Sequence, residues 1–143
     1  MSKINLRLLE FMTEYNYNQV EVEKITGIMH TNISDFLSGK HLPSFENLVK
    51  LIDCFNTSAD YFLGLDDIPT TEKLCEILPF NERLRYVLKY FSVSQEKLKK
   101  DLFISSSVVY KWVSGKSLPS IESLVKLAEY FDCSVDFLIG RVR

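Results

Sequence analysis

The feature that most constrains this chain is that it repeats itself. "SGKHLPSFENLVKL" (Ser38–Leu51) returns as "SGKSLPSIESLVKL" (Ser114–Leu127), with eleven of fourteen positions identical and each residue numbered 76 higher. Extended to Ser38–Gly64 against Ser114–Gly140, fifteen of twenty-seven positions agree. Upstream the agreement thins but keeps its offset: Arg7 with Arg83, Leu8 with Leu84, Gln19 with Gln95, Lys24 with Lys100, Ile28 with Ile104. No gap is needed, so corresponding elements have equal lengths and two copies of one small unit are expected. The expected boundaries are 1–65 and 81–143, joined by a linker at 66–80. "DDIPTTEKLCEILP" (Asp66–Pro79) is punctuated by prolines. Its middle, "TEKLCEIL", has the pattern of a short helix.

Each unit reads as a run of short helices. "NERLRYVLKYF" spaces Leu84, Val87, Leu88 and Phe91 for one helix face. Ser94, Ser105, Ser120 and Ser134 stand where N-caps belong, ahead of "QEKLKKDL", "SSVVYKWV", "IESLVKLAEYF" and "VDFLI". Glu122 suits the first turn of its helix, and Gly140 ends the last one. "SGKSLP" is a loop, because Gly115 can take positive φ and Pro119 bars helix continuation. Ser44, Glu46, Ser58, Asp60 and Gly64 repeat this punctuation in the first unit. Strand patterns are nearly absent, so the expected class is all-α.

Composition excludes several functions. Hydrophobic residues make up 46% and charged residues 25%, as in ordinary globular chains, and no apolar run nears the ~20 residues that span a bilayer. The N-terminal stretch is interrupted by Arg7, Glu10 and Glu14, unlike a secretory signal, so a cytoplasmic location without membrane contact is expected. Cys54, Cys75 and Cys133 are odd in number and widely spaced, which reads as small, mostly buried side chains. With only His30 and His41 besides, neither a metal site nor a cofactor is expected. No paired carboxylates, nucleophile–base set or glycine-rich phosphate loop is legible, so no catalytic role is expected.

Net charge is −2, unevenly spread. Residues 1–65 carry five Lys/Arg against eight Asp/Glu, a net of −3, whereas residues 82–143 carry eleven against seven, a net of +4. Residues 66–81 hold the remaining −3. Basic charge supplies the sequence-independent part of nucleic-acid affinity.

The stretch Val93–Gly140 resembles the Cro/cI-type, or XRE-like, helix-turn-helix family of DNA-binding regulators. The resemblance rests on "SQEKL", "IS" before the next helix, a Trp seven residues after Ser105, then "SGKSLPS", "LVKLAEYF" and "SVDFLIG". Tyr17–Gly64 follows the same order less closely. The resemblance implies two tandem five-helix, lambda-repressor-like bundles, each placing its third helix in the major groove of double-stranded DNA. It also implies cytoplasmic transcription regulation, as a repressor.

In the second unit Val109, Trp112 and Val113 make an apolar face, leaving Ser106, Ser107, Tyr110, Lys111 and Ser114 outward. In the first, Ile33, Phe36 and Leu37 leave His30, Thr31, Ser34, Asp35 and Ser38 outward, with Asn32 nearby. Asn pairs with adenine and Lys with guanine, so these faces are suited to base edges. By position in the family, Gln19 and Gln95 at the second helix, and Lys40 and Lys116 in the "SGK" loops, are expected to touch phosphates. The chain departs from the family pattern at four places. Phe103 stands at a turn position usually held by Gly and kept as Gly27 in the first unit. Glu23 and Lys99 stand where a small Ala packs. Thr26 replaces an apolar residue. Asp35 would repel phosphate. The first unit is therefore also read as a protein-interaction module of antitoxin or anti-repressor type, or as the route to a homodimer or protein partner.

Overall fold

The computed structural model describes residues 2–143. All regular structure among them is helical, in ten helices. The chain divides into two compact units, one ending at Leu74 and the other running Cys75–Arg143. The first holds α1 (Ile4–Tyr15), α2 (Gln19–Thr26), α3 (His30–Ser38), α4 (Phe45–Cys54) and α5 (Ala59–Leu63). The second holds α6 (Phe80–Tyr90), α7 (Gln95–Leu102), α8 (Ser106–Ser114), α9 (Ile121–Phe131) and α10 (Val135–Ile139).

Helix starts follow the serines. Ser44, Ser58, Ser94, Ser105, Ser120 and Ser134 each accept a bond from a backbone N–H in the first turn of the following helix. Asn18 does the same for α2 and closes a reciprocal capping box with Glu21. Each such cap satisfies a donor that the helix itself leaves open.

The core is repeated as faithfully as the caps. In the first unit α3 packs on α1 and α2, and α5 closes against α1 and α4. In the second α8 packs on α6 and α7, and α10 closes against α6 and α9. Leu8, Val22, Ile33, Leu48, Leu51 and Phe62 are fully buried. So are their counterparts Leu84, Leu98, Leu124, Leu127 and Leu138, with Val109 nearly so. Burying each such side chain contributes roughly 1.5–3 kcal/mol, which is what holds helices this short.

The repeated pair Arg7/Arg83 proves structural. Arg7 lies over the Tyr61 ring at 4.2 Å and donates from Nε to the Tyr61 carbonyl at 3.0 Å. Arg83 lies over Phe137 at 4.7 Å and donates from Nε and Nη2 to the Phe137 carbonyl at 2.9 and 2.8 Å. Each ties the first helix of its unit to the last. Tyr61 and Phe137 are thus half-buried partners of arginine, while Phe62 is core.

The interval between the repeats is not helical at "TEKLCEIL". Eight residues are too few to hold a helix without packing. The backbone is engaged elsewhere: Cys75 N–H donates to the Arg141 carbonyl at 2.7 Å, and Arg141 and Arg143 donate to the carbonyls of Cys75 and Glu76. Within the first unit, the Asp66 carbonyl accepts from Arg7 and Asp67 pairs with Lys3 at 3.7 Å. The three cysteines are free thiols and half-buried rather than buried. Among the described residues no helix is long and apolar enough to cross a membrane.

Candidate nucleic-acid interface

In the second unit α7 and α8 are joined by three residues, Phe103 to Ser105. Ser105 accepts from Val108 N–H at 3.2 Å and so opens α8. Val109, Trp112 and Val113 are buried at 2%, 6% and 8% exposure. The 3.6-residue period then leaves Ser106, Ser107, Tyr110, Lys111 and Ser114 all in solvent. Val108, not anticipated from sequence, is also 38% exposed at the edge of this face.

Lys111 and Lys116 are placed differently. Among the described residues no carboxylate pairs with Lys111, so its ammonium is available. Lys116 Nζ lies 5.1 Å above the Tyr110 ring, a cation–π contact that joins the loop lysine to the outward face. The loop is held by Gly115 at φ +83° and by Lys116 N–H donating to the Lys111 carbonyl at 2.9 Å. A Cβ at Gly115 would come within 3.1 Å of the Asn81 side chain, a tight contact, but it is the backbone angle that calls for glycine.

Gln95 is the first residue of α7 and is exposed. α7 is braced from α9: Tyr130 Oη donates to Asp101 Oδ2 at 2.6 Å, and Lys97 pairs with the same oxygen at 3.0 Å. These bonds hold the Asp101 carboxyl below its usual range, Tyr130 first, and push the Tyr130 phenol up to about 12. The first unit has no such brace, since Ile25 and Cys54 occupy those positions.

In the first unit α3 buries Ile33 and Phe36 and leaves Leu37 half-buried. His30, Thr31, Asn32 and Ser34 are exposed, as is Lys40 in its loop, while Gln19 is half-exposed. The helix has no cap of its own, because Met29 precedes it. Glu23 of α2 supplies one: its Oε1 accepts from the His30 backbone N–H at 2.6 Å and lies 2.9 Å from His30 Nδ1. Those bonds, the backbone one first, lower the Glu23 pKa. Asp35 lies 3.9 Å from His41 Nε2.

The departures from the family pattern are accommodated locally. Glu23 takes the capping role that Ser105 fills in the second unit. Lys99 turns outward to Glu96 at 3.1 Å. Thr26 Oγ1 donates to the Val22 carbonyl and accepts from Ile28 N–H. Phe103 keeps the turn by adopting φ +54° with its side chain 94% exposed.

The family model described as Helix-turn-helix matches residues 8–62 and again 84–138. The chain belongs to the Cro/cI-type helix-turn-helix family. It is 34% identical over 63 residues to the HTH-type transcriptional activator BcrR of Enterococcus faecalis, a match covering 44% of this chain and 31% of that protein. It is 34% identical over 64 residues to the cryptic phage CTXphi transcriptional repressor RstR of Vibrio cholerae, covering 45% of this chain and 57% of that protein. The chain thus matches under a third of one relative and over half of the other. No solved structure gives a significant match. In family terms α2–α3 and α7–α8 are the helix-turn-helix pairs, with α3 and α8 third in their units.

Local charge separates the two pairs. From Gln95 to Lys116 five lysines stand against Glu96 and Asp101, a net of +3. From Gln19 to Lys40 two lysines stand against Glu21, Glu23 and Asp35, a net of −1 with His30 neutral.

Proposed function

We propose that this chain is a sequence-specific DNA-binding transcription regulator, acting as a repressor, whose main reading element is α8 in the major groove. The observation that carries the reading is the outward face of α8. Ser106, Ser107, Lys111 and Ser114 are exposed on a helix anchored by buried Val109, Trp112 and Val113, and among the described residues no carboxylate pairs with the Lys111 ammonium. Short hydroxyl side chains let the helix approach base edges, and a free ammonium suits guanine O6 and N7. Gln95 and Lys116 flank the face and serve the phosphates. Repression then follows from occupancy of the site against polymerase.

The first unit contributes less general affinity. A carboxylate already sits at the N-terminus of α3, where helix N–H groups would otherwise face an anion, and Asp35, expected outward, is half-buried beside His41 at 3.9 Å. These observations favour a second role for that unit in homodimerisation or in binding a protein partner. Gel-shift of the full chain against genomic fragments at low and high salt tests the main reading. Retarded complexes that survive competitor DNA at moderate salt are expected. Absence of any complex at low salt refutes it.

A further inference from the structure

The repeat is not uniform. Across the loop and following helix, eleven of fourteen residues are the same, yet between α3 (HTNISDFLS) and α8 (SSVVYKWVS) only Ser38/Ser114 agree among nine. Burial sorts most of these positions, though Asp35 and Leu37 are half-buried where Lys111 is exposed and Val113 buried. Ile33/Val109 and Phe36/Trp112 are core in both helices, and size changes there preserve the fold. The remaining differences fall mainly on solvent-facing side chains.

The central outward position carries the largest change. On a helix whose buried stripe is Val109, Trp112 and Val113, the opposite meridian runs through Ser107, Lys111 and Ser114. On α3 the same meridian runs through Thr31, Asp35 and Ser38. Thr31/Ser107 and Ser38/Ser114 are chemically alike. Asp35/Lys111 is an inversion: a side chain that only accepts stands in place of one that only donates.

Base edges in the major groove are read by this polarity. Lys donates to guanine O6 and N7, whereas Asp accepts from the cytosine N4 amino group. A base edge satisfying one of the two repels the other. The flanks differ in the same direction. Asn32 offers the paired donor and acceptor that adenine matches, where the second unit has Val108. Val108 and Tyr110 offer apolar surface to a thymine methyl, where the first unit has Asn32 and Ser34.

We propose that α3 and α8 specify unlike base sequences, so that the DNA element chosen by one chain consists of two different half-elements rather than a repeat or palindrome of one. This rests on the reading that both helices face the major groove. Asp35 is a specificity residue for a half-element bearing cytosine, and Lys111 for one bearing guanine at the equivalent register. The acidic first helix adds selectivity more than general affinity, because Asp35 discriminates by what it repels.

Selection from a pool of random duplex DNA tests this with the full chain and three variants, Asp35→Ala, Asp35→Lys and Lys111→Ala. Lys111 is exposed and Asp35 half-buried beside His41, and far-UV dichroism checks that each variant is folded. The wild-type chain is expected to enrich a sequence with two dissimilar blocks. Asp35→Ala should relax one block about tenfold in selectivity and leave the other, Lys111→Ala should do the converse, and Asp35→Lys should shift its block towards guanine. Enrichment of two copies of one block, or an unchanged motif in Asp35→Ala, overturns the inference while leaving DNA binding intact. No enrichment by any form refutes DNA reading itself, and the inference with it.

Discussion

Phe103 tests the local physics most directly. It sits at φ +54° with its side chain 94% exposed, so it gains nothing from burial to offset its backbone angle. A Cβ in the left-handed region costs roughly 1–2 kcal/mol. Glycine removes that cost but frees the unfolded chain by about 0.4–1 kcal/mol. Phe103→Gly is therefore expected to stabilise the second unit by about 0.5–1 kcal/mol, and Phe103→Ala, which keeps the Cβ, by close to nothing. The converse lies in the first unit. Gly27 has φ +78° and no atom within 4 Å of where a Cβ would stand, so Gly27→Ala adds strain without a clash and should destabilise by about 1 kcal/mol. Trp112 is the single tryptophan and lies in the second unit, so urea unfolding followed by its fluorescence isolates that unit while far-UV dichroism follows both. With a slope of about 1 kcal/mol per molar urea, Phe103→Gly should raise the fluorescence midpoint by about 0.5–1 M. Gly27→Ala should leave that midpoint in place and lower the dichroism of the other unit early. Equal midpoints for the Gly and Ala variants of Phe103 would show that the angle carries no penalty and refute the reasoning.

Other substitutions probe the interface and the frame. Lys116→Ala should weaken binding to all sequences and reduce the slope of log affinity against log salt by about 0.9, measured by anisotropy titration across a range of salt concentrations. A changed preference among sequences would instead place Lys116 on base edges. Arg83→Leu leaves the Phe137 carbonyl without its two donors and removes the ring contacts, and should destabilise the second unit by about 2–3 kcal/mol in Trp112 fluorescence. Glu23 is more acidic when folded than unfolded, because His30 bonds its charged form. Its contribution is therefore present above the usual glutamate range, about pH 4.3, and disappears as pH falls through its lower folded value. Glu23→Gln should flatten the acid loss of first-unit stability, read by dichroism as pH falls below the usual glutamate range.

The frame was legible in the sequence because its determinants are local. Serine caps, positive-φ glycines and a 3.6-residue apolar period each act within a few residues, and the repeat supplied an internal check on all of them. What sequence reasoning missed depends on contacts between elements. Glu23 reads as a misplaced charge at a packing position; only the meeting of α2 with α3 makes it the cap that Met29 cannot be. Asp101 and Tyr130 lie 29 residues apart, and neither carries a signal of its own. "TEKLCEIL" has helical composition, yet its backbone pairs with Arg141, a partner 66 residues away from Cys75. Arg7 and Arg83 were visible as a repeated pair, but their burial against a last-helix carbonyl was not.

The same contacts change how the charge difference between the units should be weighed. The raw net charges include Arg83, Arg141 and Asp136, all buried, and so overstate the basic surface of the second unit by one charge. Of the five lysines around α7 and α8, Lys97 and Lys99 are paired with Asp101 and Glu96 at 3.0 and 3.1 Å. Lys100, Lys111 and Lys116 are left without a carboxylate partner among the described residues, as are Lys24 and Lys40 in the first unit. Three free lysines against two is a small difference. At a Debye length of about 8 Å, nearby acids count for more than the rest of the chain. The acids of the second pair are thus held by lysines. In the first pair Glu23 is held by the start of α3 and Asp35 is half-buried beside His41, so no lysine neutralises either among the described residues. The asymmetry of the two helix-turn-helix pairs therefore comes less from added base than from where each unit keeps its carboxylates.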